Sequence, residues 1–232
     1  MGKGAPLRWL ENRLLRRHLR GRGVEIGALW RRFPVPRRAR VWYVDRETGP
    51  GLAEHYGDQY QKVVPPHLVA EAAALPVAVG SLDFIIASHV LEHLPFPLAG
   101  LRSWYEALAP GGALVLRVPD MRYSFDARRA RTALAHLVEE FEYPERFDRR
   151  AHYAEFVEKV YNQKPGDPGF EALVEDLMRK DYSIHFHAWT DADLREIIEF
   201  TRQAWRLEWR AKIFWGAHFY RKEAVALLVR HF

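Results

Sequence analysis

The sequence contains no cysteine. This absence excludes disulfides, thiolate zinc sites, iron–sulfur clusters and cysteine nucleophiles. The chain also lacks an apolar run of the roughly 20 residues that a membrane-spanning helix needs. Charged residues are scattered through its N-terminal stretch, which therefore does not resemble a secretory signal. We expect a cytoplasmic protein without transmembrane segments.

The composition is that of a folded protein with an excess of positive charge. Hydrophobic residues make up 48% of the 232 residues and aromatic residues 13%, which is enough for one well-buried α/β domain with a sizeable insertion. The formal net charge is +5, and arginines cluster at 13–22, 31–40 and 128–131. These clusters favour contact with phosphates or an anionic membrane, or are simply well-solvated surfaces.

Leucine spacing near the N-terminus predicts a basic amphipathic helix within residues 1–20. Leu7, Leu10, Leu14 and Leu15 fall on one helical face among arginines. We expect this apolar face to pack on the domain. Peripheral contact with a membrane surface is the alternative.

Short apolar runs, each followed by small or acidic residues, predict the strands of a parallel sheet. The runs alternate with helical spacing, which is typical of a sheet covered by helices on both faces. A helix predicted at 97–109 is ended by the Pro-Gly-Gly sequence at 110–112. A capped helix from 190 to about 203 precedes the last two strands. The expected strands are 24–27, 41–45, 68–71, 82–88, 113–119, 207–215 and 223–231.

We therefore predict an α/β fold with a Rossmann-like, seven-stranded and mostly parallel sheet. A single domain spans 1–232, and a helical insertion at 120–185 follows the fifth strand. Ligands of such sheets bind beyond the carboxyl ends of the strands. Residues just after the strands, such as Gly27, Asp45 and His89, should therefore line one site.

Five sequence motifs follow one another from residue 22 to 120: VEIGAL, VWYVD, EAAALP, SLDFIIASHVLEHLP and EALAPGGALVLRVPD. In this order the chain resembles the Rossmann-like (class I) S-adenosylmethionine-dependent methyltransferases. The resemblance implies that Gly27 admits the methionine part of the cofactor, Asp45 accepts hydrogen bonds from the ribose hydroxyls, and Glu71 lies near the adenine amino group. Alternatively, Asp45 could simply form a turn, and Glu71 could be a solvent-exposed charge in a loop. The implied cofactor-binding residues are Glu25, Gly27, Ala28, Asp45, Arg46, Glu71, Ala72, Ser88 and His89.

One part of the family pattern is reduced in this chain. The glycine-rich loop shortens to Gly-Ala-Leu at 27–29, and Pro34 and Pro36 disfavour a regular helix before the second strand. The cofactor carboxylate would then lack helix N-terminal amides. We hypothesise that Arg31 or Arg32 binds it instead.

The stretch PDMRYSFDARRARTALAH after the fifth strand carries a narrower resemblance. It is similar to methyltransferases encoded with glycosyltransferases in polysaccharide and glycolipid clusters. This resemblance implies methyl transfer to a small-molecule, sugar or glycolipid acceptor, with the 120–185 insertion as a lid on the acceptor side. The implied acceptor-binding residues are Arg122, Tyr123, Phe125 and His185.

Four polar residues are candidates for catalysis, mainly as a general base. They are His89, Asp126, His136 and His187. Plainer roles are open for several neighbours: Arg122 and Asp126 are spaced as an i, i+4 ion pair, and the histidines of the HFHAWT sequence could be half-buried strand residues.

A zinc hydrolase is one rival function. The sequence SHVLEHLP at 88–95 contains H-x-x-E-H, in which His89 and His93 would be ligands and Glu92 a base. Pro95 and Pro97 leave little room for the helix that such a site needs. We therefore expect no metal ion.

Two further rival functions are suggested by the positive charge of the chain and by its shortened glycine loop. The arginine-rich segments favour a methyltransferase acting on RNA or another nucleic acid. However, the Asp/Asn-Pro-Pro-aromatic motif of amino-methylating enzymes is missing after the fourth strand, and the absence of cysteine closes the covalent route to C5 methylation. The reduced glycine loop favours a non-catalytic domain that binds a cofactor or partner. The sequence leaves the acceptor atom and the oligomeric state open.

Overall fold

The structure, a computed structural model, describes residues 5–56 and 63–231. One sheet contains the strands β1 (Gly21–Ile26), β2 (Ala39–Asp45), β3 (Leu68–Val69), β4 (Leu82–Ser88), β5 (Leu108–Pro119), β6 (Trp209–Trp215) and β7 (Glu223–Arg230). Their order is β3-β2-β1-β4-β5-β7-β6. Neighbours pair in parallel except β7, which is antiparallel to β5 and β6. The predicted Rossmann-like, mostly parallel sheet is confirmed.

Six of the seven predicted strands differ from the structure at one end or both, and two of these differences affect the site or the adjoining helix. β3 contains only two residues, so Ala70 and Glu71 lie in the loop that follows it. β5 begins at Leu108, so the Pro-Gly-Gly sequence at 110–112 lies inside the strand, and the preceding helix has already ended. Gly111 has a φ of 78°, and the pairing with β4 shifts register here, which is the behaviour of a β-bulge.

Helices precede the first strand and separate most of the later ones. The start of the last helix agrees with the predicted capping sequence, because Asp193 accepts a hydrogen bond from the Thr190 N–H at 2.9 Å and Thr190 Oγ1 caps Asp193 in return. The helices are α1 (Ala5–Leu15), α2 (Gly49–Tyr56), α3 (Pro97–Ala107), α4 (Leu134–Glu142), α5 (Arg149–Lys159), α6 (Phe170–Arg179) and α7 (Asp191–Trp205).

The two faces of the sheet are covered in different ways. α3 and α7 cover one face, where Trp104, Leu194 and Ile197 are buried. The N-terminal segment and the loop after β1 cover the other, through Leu15 and Phe33. The described segment between β1 and β2 forms no helix, as its prolines predict.

α1 is shorter than the expected amphipathic helix. It ends at Leu15, and residues 16–18 form a single 3-10 turn. Leu15 and Leu19 are buried on the sheet, whereas Leu10 is 47% exposed. The side chain of Leu7 lies outside the described residues. In the described part of the chain, every helix is too short or too polar to cross a membrane.

The insertion between β5 and α7 has a small core of its own. Tyr153 and Phe156 of α5 pack with Val174 of α6. The chain then returns to the sheet, where the Phe186 N–H donates to the Glu92 carbonyl at 2.8 Å. The insertion therefore lies at the carboxyl edge of the parallel strands.

Candidate functional site

The carboxyl ends of four neighbouring strands surround one cavity. Gly27 follows β1, Asp45 ends β2, Glu71 follows β3 and His89 follows β4, and all four line this cavity. They meet because parallel strands end at the same edge of the sheet. We call this space the strand-end cavity.

Asp45 presents a carboxylate to the strand-end cavity. Its Oδ1 accepts a hydrogen bond from the Arg46 N–H at 2.9 Å. Burial raises the pKa of Asp45, and the hydrogen bond and the charge of Arg46 oppose this rise. A carboxylate in this place can accept strong hydrogen bonds from a pair of ligand hydroxyls.

Gly27 forms an open floor beneath the same cavity. Its φ is 63°, in the left-handed region, and its N–H donates to the Val44 carbonyl at 2.9 Å. A Cβ atom added here would lie 3.2 Å from Val90 Cγ2. Glycine therefore lets a ligand approach the backbone where a side chain would crowd both the ligand and Val90.

The loop after β3 is held by the core. Trp104 Nε1 donates to the Ala72 carbonyl at 2.7 Å, and this indole is fully buried. Glu71 and Ala72 line the strand-end cavity. This loop offers a fixed apolar surface with a carboxylate beside it, which suits a flat ring that carries an amino group.

Three residues expected at the cofactor site do not line the strand-end cavity: Glu25, Ala28 and Ser88. The Glu25 side chain accepts a hydrogen bond from the Phe33 N–H at 2.8 Å. Burial raises the pKa of Glu25 to about 7, against the opposing effects of this bond and of Arg32. Glu25 thus fixes the loop that follows β1.

The insertion covers the strand-end cavity. Arg46 donates to Asp181 Oδ2 at 2.8 Å and to the Asp181 carbonyl at 2.7 Å, and Arg149 donates to Asp181 Oδ1. Asp181 has a φ of 47°, an uncommon conformation for a residue other than glycine. This cover leaves a space of about 190 Å³.

His89 forms the wall between the strand-end cavity and a second cavity. Its Nε2 lies 2.7 Å from Glu223 Oε2, and its Nδ1 lies 3.5 Å from Glu92 Oε1. Burial disfavours the charged ring, but the hydrogen bond to Glu223 and the negative charges of Glu92 and Glu223 outweigh this effect and raise the pKa of His89 to about 10. His89 is therefore an imidazolium at neutral pH and cannot serve as a general base.

A buried ionic network supports His89 from below. Glu223, the first residue of β7, also accepts a hydrogen bond from Arg117, which is 1% exposed. Asn12 of α1 accepts a second bond from Arg117 at 2.7 Å, and Glu11 accepts one from Arg221. Sequence reasoning missed this network, although an antiparallel last strand places its first residue at the carboxyl edge of the parallel strands.

The second cavity has about 540 Å³ and combines positive charge with aromatic rings. Four cationic side chains line it, Arg8, Arg31, Arg221 and Lys222, and they outnumber the two carboxylates of Glu11 and Glu223. The expected acceptor residues Tyr123, Phe125 and His185 also line it, together with Tyr220. We call this space the cationic cavity. Its volume lies within the range of small-molecule sites.

The two arginines hypothesised to bind the cofactor carboxylate lie apart from the strand-end cavity. Arg31 lines the cationic cavity. The guanidinium of Arg32 lies over the ring of Tyr43, with its carbon 5.0 Å from the ring centre.

His185 and Asp126 form a dyad at the edge of the cationic cavity. Asp126 is buried and its Oδ2 lies 2.7 Å from His185 Nδ1. Ser124 and Arg129 also donate to Asp126. The hydrogen bond and charge of His185, together with those of Arg129, keep the pKa of Asp126 below its usual range despite burial. A carboxylate at Nδ1 places the proton on this nitrogen, which leaves the lone pair on Nε2.

Arg122 does not line the cationic cavity. It also does not form the i, i+4 ion pair with Asp126 that its spacing suggested. It donates to Asp120 Oδ1 at 2.8 Å and to Asp191, and these hydrogen bonds raise its pKa. Asp120 also accepts the Asp191 N–H at 2.9 Å. Arg122 therefore ties the end of β5 to the start of α7.

His136 and His187 lie in a separate cluster around Glu140. His136 Nε2 is 3.0 Å from Glu140 Oε1, and His187 Nε2 is 3.6 Å from Glu140 Oε2. Burial and the nearby His152 and His136 hold the pKa of His187 well below its usual range. Neither candidate lines the strand-end or the cationic cavity.

The H-x-x-E-H sequence does not form a zinc-hydrolase helix. Leu91–His93 is a 3-10 turn, and His93 Nδ1 faces the Ile184 carbonyl at 2.9 Å. Burial lowers the pKa of His93 to about 4. Glu92 is fully buried beside His89 and keeps a lowered pKa because His89 outweighs the effect of its burial.

Similar folds occur in several solved structures. A Rhodobacter sphaeroides protein assigned provisionally to the Zn-dependent alcohol dehydrogenases has 16% identity and a TM-score of 0.60, covering 96% of this chain and 90% of its own. A chain in the Haloferax volcanii complex of the Trm112 methyltransferase activator with its candidate methyltransferase has 13% identity and a TM-score of 0.52. The match covers 99% of this chain and 93% of that chain. The PH0226 protein of Pyrococcus horikoshii has 11% identity and a TM-score of 0.52, and the match covers 97% of this chain and 90% of that chain. These identities show the fold alone.

The sequence itself matches a family. No curated protein matches it significantly. A family model described as a methyltransferase domain matches residues 21–160, which include the four strand ends of the strand-end cavity. The seven-stranded sheet and this match establish that the chain belongs to the methyltransferase-domain family and is a methyltransferase.

Proposed function

We propose that this protein transfers a methyl group from S-adenosylmethionine to a hydroxyl of a small sugar or glycolipid acceptor that carries an anionic group. One observation supports this function above all: the strand-end cavity, lined by Gly27, Asp45 and Glu71, shares His89 with the cationic cavity. Two adjoining cavities with one common wall suit two substrates that react with each other.

The residues of the strand-end cavity fit the cofactor. Asp45 would accept hydrogen bonds from the ribose hydroxyls, and Ala72 and Glu71 would flank the adenine. The open floor at Gly27 leaves space for the methionine part. Small-molecule sites usually have at least about 300 Å³, so we infer that the Asp181 segment moves outward to admit the cofactor.

The charge of the cationic cavity supports an anionic acceptor. The side chains of Arg31 and Lys222 make no hydrogen bond or ion pair with the described residues, so they are available to a phosphate or carboxylate. Tyr123 and Tyr220 add aromatic surface of the kind on which a sugar ring can pack. A phosphorylated sugar combines both requirements.

Catalysis in this site rests on alignment and on one proton acceptor. S-adenosylmethionine held by Gly27, Asp45 and Glu71 would supply an electrophilic methyl group, and its carbon–sulfur bond would break as the bond to the acceptor oxygen forms. His185 Nε2 takes the acceptor proton, and Asp126 stabilises the resulting imidazolium through Nδ1. His89 and the walls of the two cavities hold the reactants in line.

The N-terminal helix favours an acceptor at a membrane surface. Trp9 is 62% exposed, and Leu10 beside it is also exposed. Arg13, with its guanidinium carbon 5.4 Å from the centre of the Trp9 ring, adds positive charge. An exposed aromatic residue among arginines suits contact with anionic headgroups, which supports a lipid-linked acceptor.

Calorimetry with S-adenosylhomocysteine tests the cofactor site. We expect stoichiometric binding by the wild type and about 100-fold weaker binding by Asp45→Ala, because two charge-assisted hydrogen bonds are lost. Glu47→Gln, an exposed acid two residues away, is the matched control and should bind like the wild type. Absence of binding by the wild type would refute the function.

Labelled S-adenosylmethionine tests the acceptor class. The panel contains sugar phosphates, the matching unphosphorylated sugars, lipid-linked sugars and a short RNA. We expect label transfer to phosphorylated or lipid-linked sugars and none to the unphosphorylated ones. Transfer to RNA alone would replace the sugar acceptor by a nucleic acid while leaving the cofactor site intact.

A further inference from the structure

Three polar side chains on the insertion converge on one point outside both cavities. His136 and Glu140 lie one turn apart on α4, and His152 lies on α5. Both imidazole Nε2 atoms approach Glu140 Oε1, at 3.0 Å from His136 and 2.8 Å from His152. We call these three residues the Glu140 cluster. The methyl-transfer function uses none of them.

The hydrogen bonds of this cluster are incomplete. Glu140 is 7% exposed, and its Oε2 is buried with no hydrogen-bond partner among the described residues. His152 faces an oxygen acceptor at each ring nitrogen, because its Nδ1 lies 3.0 Å from the Phe186 carbonyl. A neutral imidazole carries only one N–H. A cation held between His152 Nε2 and the Glu140 carboxylate would satisfy both groups.

The geometry suits a small divalent ion. The three ligand atoms lie within 4.8 Å of one another, and ligands about 2.0–2.2 Å from a tetrahedral zinc ion are separated by about 3.3 Å. The Phe186 carbonyl orients His152 through Nδ1, as outer-shell partners of metal-bound histidines do. The cluster also lines a cavity of about 580 Å³, and His136 is 47% exposed, so an ion has a path of entry.

We propose that His136, Glu140 and His152 bind a divalent metal ion of the zinc class. Two imidazoles and one carboxylate are ligands that such ions accept. The bound ion cross-links α4 to α5, and a water molecule completes its coordination on the side of the open cavity. The site stabilises the insertion, and it is independent of the proposed acceptor.

Zinc binding to the untagged full chain tests the site. Calorimetry and elemental analysis should give one Zn²⁺ per chain, and Zn²⁺ should raise the melting temperature. Glu140→Gln and His152→Ala should each weaken binding at least about tenfold and abolish the thermal shift. Glu139→Gln is the matched control, because Glu139 is exposed on the same helix and lines the same cavity.

Three results would overturn the proposal. The first is that the wild type does not bind Zn²⁺ stoichiometrically, and the second is that the Glu140→Gln variant binds Zn²⁺ as tightly as the wild type. The third is that the His93→Ala variant loses Zn²⁺ binding while the Glu140→Gln variant retains it. The last result would assign the ion to Glu92, His93 and His185, whose ligand atoms also lie within 4.8 Å of one another. If His152→Ala does not fold, the exposed His136→Ala gives the same test.

Discussion

The two cavities that meet at one histidine have opposite electrostatic character. The strand-end cavity presents the carboxylates of Asp45 and Glu71, and the arginines in its wall are paired with Asp181. The cationic cavity presents Arg31 and Lys222, whose side chains have no ion-pair partner among the described residues, while its carboxylates Glu11 and Glu223 pair with Arg221 and Arg117. This difference matches a positively charged, hydroxyl-bearing cofactor on one side and an anionic acceptor on the other.

The cavities also differ in how the chain builds them. The four strand ends of the strand-end cavity come from residues 27–89, in sequence order. The cationic cavity joins α1, the loop after β1, the insertion and the start of β7. Each cavity can therefore be altered separately, and five variants or conditions test whether their roles are separate too.

Replacing the proposed base, His185, should have the largest effect. His185→Ala should lower kcat about 100-fold or more, because a general base contributes about 10²–10⁴ to such a step. S-adenosylhomocysteine affinity should stay at the wild-type value, since His185 lines only the cationic cavity. Steady-state kinetics and calorimetry measure the two quantities. An unchanged kcat would remove His185 as the base.

Removing Glu223, which holds His89 between the two cavities, should destabilise the fold. Glu223→Ala leaves the buried Arg117 and the imidazolium of His89 without their shared counterion. The free energy of unfolding should fall by about 3–5 kcal/mol, as measured by urea denaturation. Glu199→Ala removes an exposed acid from α7 and should change it by less than about 0.5 kcal/mol. Equal losses in both variants would contradict the structural role of the network.

Arg31 distinguishes the acceptor from the cofactor. Arg31→Ala should raise the KM of an anionic acceptor about tenfold, the loss of one charge-assisted contact, and leave cofactor affinity unchanged. Arg32→Ala is the matched control, because Arg32 packs over Tyr43 outside the cavity. Weaker cofactor binding by Arg31→Ala would instead support the carboxylate role hypothesised from the sequence.

The cover of the strand-end cavity should have a smaller effect. Asp181→Ala removes the partner that Arg46 and Arg149 share. Exposed ion pairs contribute about 0.2–1 kcal/mol, so stopped-flow measurements should show cofactor association roughly two- to fivefold faster. A slower association rate would show that Asp181 helps to form the site and does not obstruct it.

The pH dependence of stability should show the smallest effect, because His89 is half-exposed and solvent screens its charge. The pKa of His89 rises from 6.5 to about 10 on folding. Its contribution to stability is therefore fully present below pH 6.5 and is lost as the pH rises through 10. The stability difference between the wild type and His89→Gln should decrease across this range. A constant difference would show that the ring stays neutral.

The apolar runs predicted the sheet and the placement of Asp45, and the capping sequence at Thr190 predicted α7, because strand ends and helix caps depend on neighbouring residues. The same alternation could have corrected Glu25: it follows Val24, which packs on the α3 face, so its side chain points to the opposite face and meets Phe33. The alternation is visible in the sequence, whereas the face on which Val24 packs is known only from the structure.

Other residues of the site depend on tertiary packing. Glu223 reaches His89 only because β7 runs antiparallel to β5, which a short apolar run cannot specify. His136 follows β5 in the sequence, but α4 directs it towards Glu140 and α5, away from the two cavities. Positions inside an insertion depend on how its helices pack, and no local pattern encodes that packing.

The network that joins α1 to β7 has a consequence for biosynthesis. Glu11 contacts Arg221 across a separation of 210 residues, and Asn12 reaches Arg117. During translation Asn12 can meet its partner once β5 has left the ribosome, whereas Glu11 lacks Arg221 until the segment before β7 is synthesised. The cationic cavity, which Arg221, Lys222 and Glu223 help to line, is therefore completed last, and nascent chains that stop short of β7 lack part of its lining.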